Sequence, residues 1–138
     1  MNLRHILSTP FIYGMIIPSV IFHICLEIYH QACFRLYKIP LVDSKKYFIY
    51  NRQLIKQLKP FDKFNCYYCS YVNNLIRYAT EIGGRTERYW CPLKYHKEIS
   101  NPHSQYKKFL TKDSKETLQE EWQTLRDFSD LDAINSST

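Results

Sequence analysis

The sequence predicts a mainly α-helical chain with one membrane-inserted helix, and three features carry that expectation. Residues 6–22, ILSTPFIYGMIIPSVIF, hold no charge and no histidine. From Phe61 the apolar and aromatic residues recur at a helical rather than an alternating spacing. The closing stretch DSKETLQEEWQTLRDFSDL carries Leu118, Trp122 and Leu125 at the same period. Little or no strand is expected beside these elements.

At 138 residues the chain has room for one domain and a tail. Three segments are expected: a membrane-anchoring helical segment over 1–37, a basic cysteine-containing region over 38–112, and an acidic helix and tail over 113–138. Charge follows these segments. Residues 1–34 carry only Arg4 and Glu27, residues 35–112 carry sixteen basic against five acidic side chains, and residues 113–138 carry two against seven.

Between Arg4 and Glu27 the only residues that can carry a charge near neutral pH are His5 and His23. At about 1.5 Å per residue a helix over this stretch is long enough for a hydrocarbon core of about 30 Å. Pro10, Gly14 and Pro18 interrupt it, so a kinked spanning helix and a re-entrant one both fit. Pro18 suits the first turn of a new helix reaching Tyr37. No A-x-A cleavage pattern follows the apolar run.

The basic residues after the helix, among them Arg35, Lys38, Lys45 and Lys46, place residues 35 onward in the cytoplasm by the positive-inside rule. Such a juxtamembrane cluster suits a bilayer with an anionic leaflet. No nucleic-acid-binding motif accompanies it, and nucleic acid is not expected as a partner.

His23, Glu27 and His30 stand at i, i+4 and i+7, one stripe of a helix that begins at membrane depth. Ionisable groups there are functional candidates. Glu27-x-x-His30 matches half of the ligand pattern of carboxylate-bridged di-metal bundles, while an interfacial or structural role is the simpler alternative.

Residues 38–53 read as a short extended passage, with a brief helical turn over LIKQL before Pro60. In the helix predicted over 61–82, Phe64, Tyr68, Leu75, Ala79 and Ile82 share a face with Tyr71, Val72 and Tyr78. Asn65, Asn73, Asn74, Arg77, Thr80 and Glu81 lie opposite. Gly83-Gly84 is expected to end it.

Cys66 and Cys69 form a C-x2-C pair on the polar side of that wheel, and Cys91 follows 22 positions later. Zinc requires four ligands, commonly thiolate and imidazole. His96, Cys33 and His103 are candidates for the fourth; with Cys33 the set also suits an iron–sulfur cluster. A helix starting near Cys66 would lower the thiol pKa values, which favours a redox pair. Ordinary reduced thiols among aromatic side chains complete the alternatives.

The runs YHQACFRLYKIP, YFIYNRQL, FNCYYCSYVNNLI and RTERYWCPLK resemble a family of small, uncharacterised membrane-associated proteins of proteobacteria, from about Pro18 to His103. The C-x2-C block and the TExYWCP block are its specific parts. The resemblance implies a membrane-associated helical protein in which Cys33, Cys66, Cys69 and Cys91 match the family's cysteines, and it implies no activity. Ser70 and Asn74 stand where the family carries glycine, and Asn51 where it carries an acidic residue. His96 lies one position late, which shifts the fourth ligand toward Cys33, and Cys25 has no counterpart. The implied location is a bacterial inner membrane with the C-terminal part cytoplasmic.

The expectation is therefore a small membrane-associated protein, an accessory or binding protein rather than an enzyme as the first reading, holding a structural metal through Cys66, Cys69, Cys91 and Cys33, with His96 as the alternative fourth ligand. Zinc comes first and an iron–sulfur cluster second. A thiol redox enzyme using Cys66 and Cys69, or a metal-free membrane scaffold, are the alternatives. The C-terminal helix, capped by Asp113 or Ser114, either packs against the basic region or docks a protein partner.

Overall fold

The computed structural model describes residues 3–51, 59–111 and 118–131. It is mainly helical: α1 (Leu3–Gly14), α2 (Ile16–Leu36), α3 (Pro60–Trp90) and α4 (Leu118–Arg126), with single 3-10 turns at Ser44–Lys46 and Ser104–Lys108. No strand occurs among the described residues, only an isolated bridge between Leu93 and Leu110. The chain divides into two compact units, 1–29 with 43–78 and 30–42 with 79–138.

Together α1 and α2 form one apolar stretch, Ile6–Leu36, long and apolar enough to cross a membrane. The break at Met15 has a local cause. Pro18 has no N–H to return to Gly14, and the chain passes through a tighter turn in which Met15 N–H donates to Ile12 O at 3.3 Å. Ser19 restores order by donating its hydroxyl to Met15 O at 2.7 Å. The helix ends in a Schellman arrangement: Ile39 N–H reaches Phe34 O at 2.8 Å and Lys38 N–H reaches Arg35 O at 3.4 Å. Lys38 takes the left-handed conformation this closure requires, φ 54°. Phe34 and Ile39 are both buried, as the motif's apolar contact demands.

The passage expected to be extended over 38–53 is described as far as residue 51 and forms no strand there. Asp43 caps the 3-10 turn by accepting Lys45 N–H at 3.0 Å, and the segment then packs its rings on α3, with Tyr47 and Phe48 against Tyr78. The LIKQL turn lies outside the described residues.

The helix expected to stop at Gly83-Gly84 continues to Trp90. Neither glycine has a positive φ. Gly84 is there for proximity: a Cβ on it would lie 2.6 Å from His103 Nδ1. A buried face runs along α3, holding Leu75, Tyr78 and Ile82 as the periodicity predicts, but also Ser70, Asn74, Glu81 and Arg88. Phe64, expected to face inward, is 61% exposed.

The C-terminal helix stops earlier than the pattern predicts. Asp113 and Ser114 lie outside the described residues; α4 ends at Arg126, and Phe128 turns the chain with φ 51°. It packs on the end of α3: Trp122 Nε1 and Arg126 Nε both donate to Tyr89 O, at 3.3 and 2.9 Å.

Candidate functional site

The polar stripe of α2 has definite partners. In the first unit His23 Nδ1 lies 3.0 Å from the Tyr71 hydroxyl, and its ring stacks on Phe48. Tyr78 donates its hydroxyl to Glu27 Oε1 at 2.6 Å. Burial, reinforced by Glu27, pushes the Tyr78 phenol well above its ordinary range and keeps it a proton donor. In the second unit His30 is buried and accepts Val42 N–H on Nε2 at 3.0 Å. That bond fixes the neutral tautomer with its proton on Nδ1. Each member of the stripe thus serves a separate partner: His30 closes the loop after α2, while His23 and Glu27 tie α2 to α3.

The metal expectation is overturned. Among the described residues no group of three or more His, Cys, Asp or Glu side chains comes together as a metal site would require. Cys25, Cys33, Cys66, Cys69 and Cys91 are all free thiols. Neither zinc nor an iron–sulfur cluster therefore has a ligand set: Cys66 and Cys69 are not joined by enough further donors, whether Cys91, Cys33 or the alternative ligand His96. The reason lies in the secondary structure. Because α3 begins at Pro60 and runs on to Trp90, Cys66 and Cys69 are consecutive-turn residues inside it, whereas Cys91 comes only after its last residue, with no turn at Gly83-Gly84 to bring it back.

The same start at Pro60 weakens the case for an activated redox pair. Cys66 sits nearly two turns inside the helix, beyond the unpaired N–H groups of the first turn, where the dipole effect is concentrated.

The densest polar arrangement among the described residues, in the second unit, is not singled out by the sequence. Glu81, placed by the wheel on the solvent side, is buried and accepts from Arg85 Nε at 2.9 Å, Ser104 Oγ at 2.5 Å and Gln105 Nε2 at 2.9 Å. Arg85 also reaches Pro40 O at 2.8 Å. Arg88, likewise buried, donates Nη2 to Asp130 Oδ1 at 2.6 Å, Nη1 to Gln105 Oε1 at 3.1 Å and Nε to Leu125 O at 2.9 Å, over the face of the Phe128 ring. The Arg88 guanidinium, helped by Lys108, holds the Asp130 carboxyl well below the usual carboxylate range. Glu87 meets His103 Nε2 at 2.9 Å. Apart from the buried Nδ1 of His103, which meets no partner among the described residues, these groups satisfy one another, so the network locks the loop 101–111 and the segment after α4 onto α3. The only sequence signal for it is the spacing of Glu81, Arg85 and Arg88 on one helical face.

No protein-family model matches the chain, and no curated protein or solved structure is significantly similar to it.

Proposed function

We propose that this is a metal-free membrane-anchored scaffold that embeds its N-terminal helix in a bilayer and holds its basic, helical remainder at an anionic leaflet. The observation that carries this reading is the apolar stretch Ile6–Leu36, whose most apolar 18-residue window buries none of its residues inside the protein. Ile17, Ile21, Ile24 and Ile28 form a stripe at helical spacing, each more than half exposed. Water around such a face is costly, and lipid is the environment that suits it. Another side of α2 meets α3, through His23 with Tyr71 and Glu27 with Tyr78. The isoleucine stripe is accordingly assigned to the lipid.

The basic residues that follow α2 favour a cytoplasmic placement at a bacterial inner membrane. Glu120 and Glu121, exposed on α4, offer an acidic surface to a protein partner. The test is fractionation combined with thiol labelling. The protein should resist alkaline extraction, and Cys91, as the single remaining cysteine, should react with an impermeant maleimide only after the membrane is opened. Release by alkali would sink the anchoring reading, and labelling from outside would reverse the topology.

A further inference from the structure

The polarity of two neighbouring hollows in the first unit points to a bound amphiphile. The first, about 390 Å³, is lined by Tyr13, Ile16, Tyr50, Phe64, Tyr67 and Tyr71, together with Tyr68. Tyrosines usually bring polar surface to a pocket, yet this one presents rings. Tyr13 donates its hydroxyl to Asn65 Oδ1, Tyr68 donates to Ile12 O at 2.5 Å, and Tyr71 is engaged with His23. Tyr50 and Tyr67 stack with centroids 5.0 Å apart. Burial pushes the Tyr50 and Tyr71 phenols upward, so both rings stay neutral. The hollow falls within the ~300–1,000 Å³ usual for small-ligand sites and suits part of an apolar chain.

The second hollow, about 420 Å³, is lined by Ile49, Asn51, Ser70, Asn73, Asn74 and Arg77. The segment before α3 and α3 itself line both hollows. On the segment before α3, Tyr50 faces the apolar hollow while Ile49 and Asn51 face the polar one. On α3, Ser70 and Asn74 follow Tyr67 and Tyr71 at i+3, the next positions on the same side. Asn74 is buried, its amide donating to Ile49 O at 3.0 Å and its carbonyl oxygen accepting from Arg77 Nη2 at 2.5 Å. That second bond orients the guanidinium. No carboxylate pairs with Arg77 among the described residues, and its remaining N–H groups suit an oxyanion.

We infer that these hollows hold one anionic phospholipid, an acyl chain between the tyrosine rings and the phosphate at Arg77 and Asn51. The inference rests on the membrane-anchored reading above: Tyr13 and Ile16 of the apolar stretch line the first hollow, so a lipid tail can enter it without crossing water. Arg77 supplies the charge complementarity that selects an anionic headgroup over a zwitterionic one.

The test uses the full chain reconstituted in vesicles containing equal phosphatidylglycerol and phosphatidylcholine, then extracted gently into detergent for native mass spectrometry. Wild type should retain one phospholipid per chain, enriched in phosphatidylglycerol about fivefold, the preference expected from one well-placed basic residue. Ile16→Trp, which fills the apolar hollow, should abolish retention. The exposed change Arg77→Gln should retain a lipid but lose the enrichment. Wild type that floats with vesicles yet retains no lipid overturns the site while leaving membrane anchoring intact. Wild type that fails to float removes both. Enrichment unchanged in Arg77→Gln, or retention unchanged in Ile16→Trp, also overturns the assignment.

Discussion

Asp130 and Arg88 show how much of the second unit hangs on single side chains. The carboxylate takes two bonds from one guanidinium and a further contact from Lys108. Because its folded-state pKa is depressed, the unfolded chain binds protons first as the medium is acidified. The stabilisation is therefore complete above the ordinary carboxylate pKa of about 4 and is lost as pH falls from there toward the lower folded value. Asp130→Asn should cost about 1 kcal/mol at neutral pH, a figure discounted for its 38% side-chain exposure. Wild type and variant should converge in acid. Urea midpoints measured across pH check this, and parallel curves would count against it. At the same scale, Leu75, Tyr78 and Ile82 were legible as core because apolar side chains declare themselves by period. Asn74, Glu81 and Arg88 were not, because their partners, such as the Ile49 carbonyl, Ser104 and Asp130, come from distant chain segments.

Helix α3 is the element whose length decides most. A Gly-Gly pair is a strong stop signal where the chain needs a left-handed residue, and here it does not. The two glycines have different reasons for being glycine. Nothing lies within 4 Å of a Cβ on Gly83, so Gly83→Ala should stabilise the helix by up to about 1 kcal/mol through propensity alone. A Cβ on Gly84 collides with the His103 ring, itself held by Glu87 and packed on Phe109. Gly84→Ala should therefore destabilise, since an overpacking cost of about 1–3 kcal/mol exceeds the propensity gain. Thermal unfolding of the two variants in detergent gives the comparison, and equal shifts would refute the distinction. Continuation through these glycines also removes the turn on which the expected metal centre relied, since Cys91 now follows the helix that carries Cys66 and Cys69.

For the whole molecule the exposed apolar stretch is the dominant physical fact. A carboxylate near the middle of an inserted helix costs about 2.5–3.5 kcal/mol. Ile21→Glu with Ile24→Glu should shift the protein out of the floated fraction. High salt alone should leave wild type attached, because apolar burial is not screened while attraction to an anionic leaflet is. Salt-driven release would assign the attachment to the basic residues instead.

What the sequence by itself determined was the helical class, the apolar N-terminal stretch and the absence of a substantial strand content. These follow from composition and period, which act locally and need no knowledge of neighbours. Only the tertiary structure decided the fate of the polar and thiol groups. It gave His23, Glu27 and His30 to separate hydrogen bonds, buried Glu81 and Arg88 among distant partners, and left the five cysteines unassembled. The physical reason is common to all three. A polar side chain's role depends on which donor or acceptor the fold brings within about 3 Å, and spacing along the chain does not specify that.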